Sequence, residues 1–264
     1  MSITKKLIAF GDRYPSLRIF FFQAILVVSI FLLWEIAIKQ EWIKVYIYGQ
    51  PSGVWRELLK SLQDGSLLKH TSVTAYESIL GFIIGGALGS AIGLLLWLSP
   101  TLAKVSRPVM VALNGVPKIA LAPLIIVWFG VGIESKIAIA AIICFIVAVI
   151  TAYSGTQEID LDLIRLMRSL GATRWQTFTK VVTPGSVPWL ISGFRLNVGF
   201  ALIGAVVGEY ISADVGLGYL VYYSGTLYNL NAVWLGIFAL MLLALLMDYL
   251  VGLIEQRLRG SFSN

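Results

Sequence analysis

The chain has 264 residues with a mean hydropathy of +0.85; 58% of the residues are hydrophobic and 13% are charged. A soluble domain carries about twice that charged fraction, so the composition excludes an ordinary soluble protein. One cysteine, Cys144, and one histidine, His70, exclude an internal disulfide and metal centres built from these residue types. The net charge of +6 favours the cytoplasmic loops of a membrane protein over a nucleic-acid partner.

The apolar residues occur in long uncharged blocks rather than at amphipathic spacing. Residues 19–34, 78–103, 137–157 and 215–247 contain no Asp, Glu, Lys or Arg. A helix that crosses a bilayer needs about 20 apolar residues, and its backbone satisfies its own hydrogen bonds. We therefore predict an all-α, polytopic membrane protein with a single membrane domain, 19–255. Its six predicted spans are residues 19–38, 73–98, 108–130, 134–154, 186–209 and 232–254.

Six spans place both termini on one side of the membrane, and the positive charges indicate which side. Twelve of the 20 Lys and Arg residues fall on the side of the termini, whereas the loop 39–72 holds five. Positive residues accumulate in cytoplasmic loops, so residues 1–18 are predicted as a cytoplasmic N-terminal segment and 256–264 as a cytoplasmic tail. The remaining positive residues, which lie in or beside spans, are Lys118, Lys136 and Arg195.

The segment 48–65 predicts a short amphipathic helix on the outer surface. Ser52 is suited to cap its start, and Gly65 is suited to end it. Its apolar residues share one face at helical spacing: Trp55, Leu58, Leu59 and Leu62.

The segment 158–182, on the predicted cytoplasmic side, reads as two short charged helices. Gly171 suits the left-handed residue that ends the first helix. Thr173 and Gln176 have the spacing of a capping box that starts the second. Pro184 is then predicted to break the chain before span five. A charged helical pair between two spans requires a partner or a function.

Glycines recur every four residues in span two, at Gly81, Gly85, Gly89 and Gly93. This spacing gives one smooth helix face against which another helix can pack closely. A helix that slides during transport could use the same face, so both interpretations stay open.

Ionisable residues inside spans are costly and usually face a cavity or a partner. Lys118 follows Pro117, where the helix is expected to break, and Arg195 lies within span five. These two cations either reach the cytoplasmic interface or pair within the bundle, or else they line a path for an anion. The candidate lining residues of such a path are Asn114, Lys118, Arg195, Asn197 and Glu209.

Enzymatic chemistry finds no support, and no residue is predicted to be catalytic. The chain has no Gly-x-x-x-x-Gly-Lys-Ser/Thr sequence, so any ATP that drives it would be bound by another subunit. Gly130 and Gly132 lie in too short a segment to bind a nucleotide and predict a turn between spans three and four. A membrane enzyme would need clustered His, Asp or Cys at an interface, which is absent from the sequence.

A stand-alone secondary transporter is a further alternative. It would need a carboxylate deep in the membrane for ion coupling. The interiors of the predicted spans offer almost none, and Asp248 in span six is the one candidate.

Several short motifs resemble the permease subunits of ABC importers, in the nitrate/sulfonate/taurine branch of the binding-protein-dependent inner-membrane components. Gly171-Ala172 and Pro184 occupy the glycine and proline places of that family's Glu-Ala-Ala loop, whereas Arg165-Leu166-Met167 departs from the acidic triplet. The other matching motifs are Gly49-Gln50-Pro51-Ser52, Val116-Pro117-Lys118, Trp128-Phe129-Gly130-Val131-Gly132, Gly193-Phe194-Arg195, Val207-Gly208-Glu209 and Gly216-Leu217-Gly218-Tyr219-Leu220. The resemblance covers about residues 45–255.

The resemblance implies a six-helix type I importer permease fold in a bacterial inner membrane. It implies a second permease chain, in a homodimer or as a similar partner chain, two cytoplasmic ATPases that carry the ATP and Mg²⁺, and an extracytoplasmic binding protein. The residues that would couple this chain to the ATPases are Arg165, Arg168, Gly171, Ala172, Arg174, Trp175, Phe178 and Pro184. The implied solute is a small anion such as a sulfonate, taurine, nitrate or bicarbonate; the alternative is a vitamin precursor or other small heterocycle.

Overall fold

The structure is a computed structural model that describes residues 15–262 of the chain. Residues 1–14, which make up most of the predicted N-terminal segment, and residues 263–264 of the predicted tail lie outside the described residues. All the regular elements within the described range are helical. In chain order they are α1 (Pro15–Lys39), α2 (Val45–Tyr48), α3 (Pro51–Gln63), α4 (Ser66–Leu95), α5 (Pro100–Gly115), α6 (Ala122–Phe129), α7 (Ile133–Gln157), α8 (Leu161–Ser169), α9 (Arg174–Thr177), α10 (Thr183–Ser212), α11 (Leu217–Thr226) and α12 (Leu230–Phe262).

The six predicted spans are each matched by helix of membrane-spanning length and composition. Five are single apolar segments: Phe21–Lys39, Ser66–Leu98, Ile133–Gln157, Arg174–Ser212 and Leu230–Arg257. The sixth is a bent pair, Pro100–Gly115 with Lys118–Phe129. Spans two, three and five were predicted to start at residues 73, 108 and 186, whereas the helices start at Ser66, Pro100 and Arg174 and so include polar residues before each apolar block.

The core of the bundle is formed by α4, α7 and α10. The glycine face of α4 packs directly on small residues of α7: a Cβ atom added at Gly89 would lie 2.7 Å from the Cβ of Ala148, and one at Gly93 would lie 2.7 Å from the Cβ of Ala152. The packing interpretation of the glycine repeat is thus confirmed. Cys144, on the α7 face of this seam, is fully buried.

The third span is broken near its middle. Helix α5 ends at Gly115, the extended residues Val116 and Pro117 follow, and the chain turns through 92° into a 3₁₀ turn and α6. Pro117 cannot donate a backbone hydrogen bond, which is the physical reason for the predicted and observed break. Helix α6 then packs against α7 and α10 through the buried Ala122 and Ile125.

Pro184 does not break the chain before span five. Helix α9 continues through a π-helical turn, Phe178–Val182, into α10 without interruption. A proline ring in an α-helix clashes with the carbonyl four residues earlier, and widening to a π turn relieves this clash. The second cytoplasmic helix predicted within 158–182 is therefore the first turns of span five itself.

Helices α2 and α3 lie at the opposite end of the bundle from α8 and α9, because they join the start of α4 whereas α9 contacts its end. We call these ends the α3 side and the α8 side. Helix α3 begins with Pro51 after an N-cap at Gln50, so the predicted cap at Ser52 is wrong by two residues. Gly65 (φ +74°) separates α3 from α4, as predicted.

Candidate functional site

The loop on the α8 side is held in shape by local capping. Gly171 has φ +74°, the left-handed conformation predicted for it, and its N–H donates to the Arg168 carbonyl at 3.0 Å. The predicted capping box is present: the Gln176 N–H donates to Thr173 Oγ1 at 3.2 Å, and the Thr173 N–H donates to Gln176 Oε1 at 2.8 Å. These bonds fix the angle between α8 and α9 without help from the rest of the bundle.

The base of this loop is fastened to the end of the second span. Arg174 Nη2 donates to the Trp97 carbonyl at 3.0 Å, and its guanidinium lies 5.4 Å from the Trp97 ring centroid. The Phe178 ring stacks on Trp97, with ring centroids 6.1 Å apart, and is buried. Phe178 was predicted to couple this chain to the ATPases; the π turn directs its side chain into the bundle, so it presents no exposed surface to a partner.

The outward surface of the loop is apolar with charges at its edge. Trp175 is 58% exposed, and the leucines Leu161, Leu163, Leu166 and Leu170 are also exposed. Arg168 is exposed as well, and Arg165 is paired with Asp162 at 2.8 Å in an exposed pair that contributes little to stability. Exposed apolar anchors with a charged rim are typical of a protein–protein contact.

A polar cleft of about 500 Å³ opens between α5 and the α8-side end of α7. Its polar lining comprises one cation, Arg107, and one anion, Glu158. The uncharged polar residues of the lining are Asn114 on α5 and Tyr153, Ser154 and Gln157 on α7. Arg107 is exposed and makes no ion pair with the described residues. This cleft lies beside the break in span three, where irregular backbone needs water or a partner to satisfy it.

The five predicted lining residues fall in different places. Asn114 is exposed in the cleft, and Lys118, half-buried at the break, donates to the Asn114 carbonyl at 3.4 Å. Arg195 Nε donates to Glu255 Oε2 at 2.9 Å, so this cation pairs within the bundle. Asn197 and Glu209 are 0% and 1% exposed, so the structure places neither on an open surface.

A buried polar cluster near the α3 side was missed by the sequence reasoning. Glu209 accepts a 2.6 Å bond from Thr74 Oγ1, and Glu77, only 2% exposed, lies within hydrogen-bonding reach of Glu209. Lys136 Nζ, on the neighbouring helix, donates to the carbonyls of Val131, Gly132 and Ser212. The expectation that the spans hold almost no deep carboxylate is wrong. The signal was present, since Glu77 and Lys136 both lie inside predicted spans.

Among the described residues, no group of three or more His, Cys, Asp or Glu side chains could hold a metal ion. The described residues form a helical bundle with an open cleft beside a broken span and a loop with an exposed apolar surface. These are the features of a polytopic membrane transport subunit.

Comparison with known proteins defines the subunit further. The family model for the inner membrane component of binding-protein-dependent transport systems matches residues 80–260. The chain belongs to this family, and it is therefore a multi-pass permease subunit of an ABC importer rather than an enzyme, with ATP hydrolysis by a separate subunit.

Individual relatives agree with this assignment. The chain is 33% identical over 256 residues to the riboflavin transport system permease protein RibX of Chloroflexus aurantiacus, covering 94% of each chain. It is 32% identical to the putative aliphatic sulfonates transport permease protein SsuC of Bacillus subtilis, covering 77% of this chain and 73% of SsuC. A structure of the MetNI methionine ABC transporter in inward-facing conformations superposes with a TM-score of 0.65 at 21% identity, over 74% of this chain and 97% of the other. This likeness confirms the predicted importer permease fold.

Proposed function

We propose that this chain forms half of the translocation pathway of a bacterial inner-membrane importer, together with a second copy of itself. The support is the open cleft between α5 and α7. Its polar wall and the broken backbone beside it need to be closed off from lipid, and a symmetric copy would do this. Exposed apolar side chains on α1 and α12 would then face the membrane lipid.

The observation that carries the proposed coupling role is the α8–α9 loop. It presents an exposed apolar surface, yet Arg174 and Phe178 fix its base to Trp97 at the end of span two. Two cytoplasmic ATPases, each holding ATP and Mg²⁺, would seat on this loop. A rigid-body movement of an ATPase would pass into span five directly, because α9, the π turn and α10 form one helix.

The coupling role places the α8 side and both termini in the cytoplasm, as the positive charges predict. The α3 side, with α2, α3 and α11, then faces outward and receives a solute from a binding protein. The departure at Arg165 is compatible with this role, because the Arg165–Asp162 pair is exposed and leaves the neighbouring leucines free to contact an ATPase.

The proposed solute is a small organic anion, such as a sulfonate or taurine; nitrate and bicarbonate fall in the same charge class. The support is Arg107, which lines the cleft together with one anion, Glu158, and makes no ion pair with the described part of the chain. A small heterocycle such as a vitamin precursor is the second candidate, favoured by the similarity to RibX across 94% of both chains.

The test of the coupling role is a substitution at Gly171, made in the complex co-expressed with its ATPase and binding protein. A side chain at Gly171 meets no atom within 4 Å, but its φ of +74° strains any β-branched residue by more than about 1–2 kcal/mol. Gly171→Val should therefore lower binding-protein-stimulated ATP hydrolysis about tenfold, or release the ATPase, while the chain stays in the membrane.

Gly171→Asn is the matched control, because asparagine tolerates the left-handed conformation. It should retain most of the stimulated activity. Full stimulation in Gly171→Val would remove the coupling role from this loop.

A further inference from the structure

Helix α11 is held at its start by side chains from distant parts of the chain. The first N–H groups of a helix lack partners within it and are normally bound by a nearby capping side chain. Gly216, at the N-cap of α11, has no side chain to offer. Its N–H donates instead to His70 Nδ1 at 3.0 Å, and the next two donate to Thr74 Oγ1 and Glu209 Oε2 at 2.7 and 2.5 Å.

Side chains of two spans therefore accept hydrogen bonds from three successive N–H groups, since His70 and Thr74 belong to α4 and Glu209 belongs to α10. Two glycines allow this close approach. Gly216 has φ +130°, and a Cβ atom at Gly218 would lie 2.6 Å from Glu209 Oε2. An anionic carboxylate is also favoured at the start of a helix by the helix dipole.

Glu77 of α4 lies within hydrogen-bonding reach of Glu209. Two carboxyl groups can hydrogen-bond to each other only if one of them carries a proton. Oε2 of Glu77 is buried and has no hydrogen-bond partner among the described groups. A proton on the Glu77 carboxyl group would let it donate to a Glu209 oxygen. One shared proton would leave a single negative charge, which the buried Lys136 beside the pair balances.

Other charged groups around the pair are solvated. Glu134 and Asp214 interact electrostatically with Lys136, but both are exposed. His70 accepts the Gly216 N–H and stacks on Tyr219, with ring centroids 6.0 Å apart. None of these groups supplies a hydrogen-bond donor to Glu77.

Helix α11 carries a cluster of tyrosines. Tyr219 stacks on Tyr223 at 5.4 Å, and Tyr222 lies 5.8 Å from Tyr210 of α10. Tyr222 and Tyr223 remain about half exposed, at 52% and 48%. The hydrogen bonds at the start of α11 thus set the orientation of the exposed Tyr222 and Tyr223 side chains on the α3 side.

We propose that Glu77 and Glu209, joined by one proton, act as a carboxylate clamp on α11 and so position Tyr222 and Tyr223 at the outer entrance of the pathway. Both glutamates are positioning residues that act through α11. The placement at an entrance rests on the proposed function, whereas the clamp itself does not.

Hydrogen exchange of the backbone amides in residues 213–221, measured by mass spectrometry on the assembled complex, tests the clamp. Glu77→Gln keeps a donor toward Glu209, because its amide N–H₂ replaces the carboxyl proton. Its exchange should stay within about twofold of wild type. Glu77→Leu removes this donor and leaves buried Glu209 with the Thr74 hydroxyl and the Gly218 N–H but no donor at position 77, so exchange should rise about tenfold or more.

Thr74→Val is a second, nearly isosteric variant, which deletes the acceptor for Leu217 and the donor to Glu209 together. It too should raise exchange about tenfold, and it provides the test if Glu77→Leu fails to assemble. Asp214→Asn changes an exposed charge in the same loop and should leave exchange unchanged. Equal exchange in Glu77→Gln and Glu77→Leu, or unchanged exchange in Thr74→Val, would overturn the clamp.

Uptake by the same variants tests the positioning role. Uptake by Glu77→Gln should be close to that of the wild type. Uptake by Glu77→Leu should be at least several-fold slower while the ATPase subunits remain bound. Faster exchange with undiminished uptake would overturn the role in transport. Absence of coupled ATP hydrolysis in the wild-type complex would instead refute the proposed function and leave the exchange result standing.

Discussion

Arg107 and Arg195 differ in what surrounds them. Arg195 donates from Nε and Nη2 to the same oxygen of Glu255, and the Glu255 side chain is 11% exposed. Arg107 projects into the polar cleft between α5 and α7 without an ion pair to the described residues. A paired cation in a bundle stabilises the packing of α10 on α12, whereas an unpaired one at a cleft remains available to a solute.

Arg195→Gln should therefore lower the melting temperature of the purified protein, because it leaves Glu255 without this partner in a poorly hydrated site. The effect should be on the order of 1 kcal/mol, since the Arg195 side chain is 50% exposed. Arg107→Gln should leave the melting temperature unchanged and slow uptake of an anionic solute several-fold. Thermal unfolding in detergent and uptake by the reconstituted complex measure the two effects.

Lys104→Gln is the matched control for Arg107, being an exposed cation on the same helix outside the cleft. It should affect neither measurement. Equal loss of uptake in the Lys104 and Arg107 variants would show that the loss comes from a change in surface charge and not from the position of Arg107 in the cleft. Unimpaired uptake of a neutral heterocycle by Arg107→Gln would favour the second class of solute.

At the scale of helices, the α4–α7 seam depends on backbone proximity that only glycine permits. Gly89 faces the α7 backbone, where an added Cβ would lie 2.5 Å from the Phe145 carbonyl oxygen. Gly86, nearly one turn earlier on α4, faces α10 instead, and its added Cβ would lie 3.4 Å from the Phe194 ring. The two positions therefore tolerate a methyl group differently.

Gly89→Ala should destabilise the bundle by about 1–3 kcal/mol, because two packed backbones have to separate. Gly86→Ala should be near neutral, since an aromatic ring can shift slightly and alanine favours a helix. Thermal unfolding of the two variants side by side measures the difference. A melting temperature for Gly89→Ala that matches the wild type would contradict the close packing described for this seam.

Pro184 lies inside the continuous helix of span five, although a proline usually ends a helix. In the sequence this proline reads as the end of a loop helix, since it lacks an N–H and its ring crowds the previous turn. The π turn at Phe178–Val182 accommodates that ring and keeps span five continuous with α9. Continuity has a functional consequence, because a rigid helix transmits a displacement that a flexible joint would dissipate.

The orientation of the chain in the membrane is a property of the whole molecule, and cysteine labelling can measure it. Cys144, the single native cysteine, is fully buried and should resist labelling. Lys60→Cys on α3 should react with a membrane-impermeant maleimide on intact cells, because its side chain is exposed on the predicted outer side. Ser169→Cys, exposed at the end of α8, should react only after the cells are permeabilised.

The two cysteine variants serve as controls for each other. Labelling of Ser169→Cys in intact cells, with Lys60→Cys protected, would invert the proposed orientation. It would also exclude the α8–α9 loop as a docking surface for cytoplasmic ATPases.

Much of the architecture could be predicted from residues that are close together in the sequence. Uncharged blocks of spanning length, the glycine spacing of α4, the break at Pro117 and the Thr173–Gln176 capping box were all predicted and are all present. Each depends on residues that are neighbours along the chain or on one helix face. Such short-range constraints are independent of how the helices are arranged.

Contacts between distant residues were decided by the tertiary structure. The sequence could not show that Glu255 lies beside Arg195, 60 positions away, or that Glu209 reaches Thr74 across 135 positions. Nor could it show that Phe178 turns inward onto Trp97. The sequence by itself therefore determined a six-span helical membrane protein and the local caps of the loop between spans four and five. Which charges are paired, buried or open to a solute followed only from helix packing, because that packing sets each group's distance from its partners and from water.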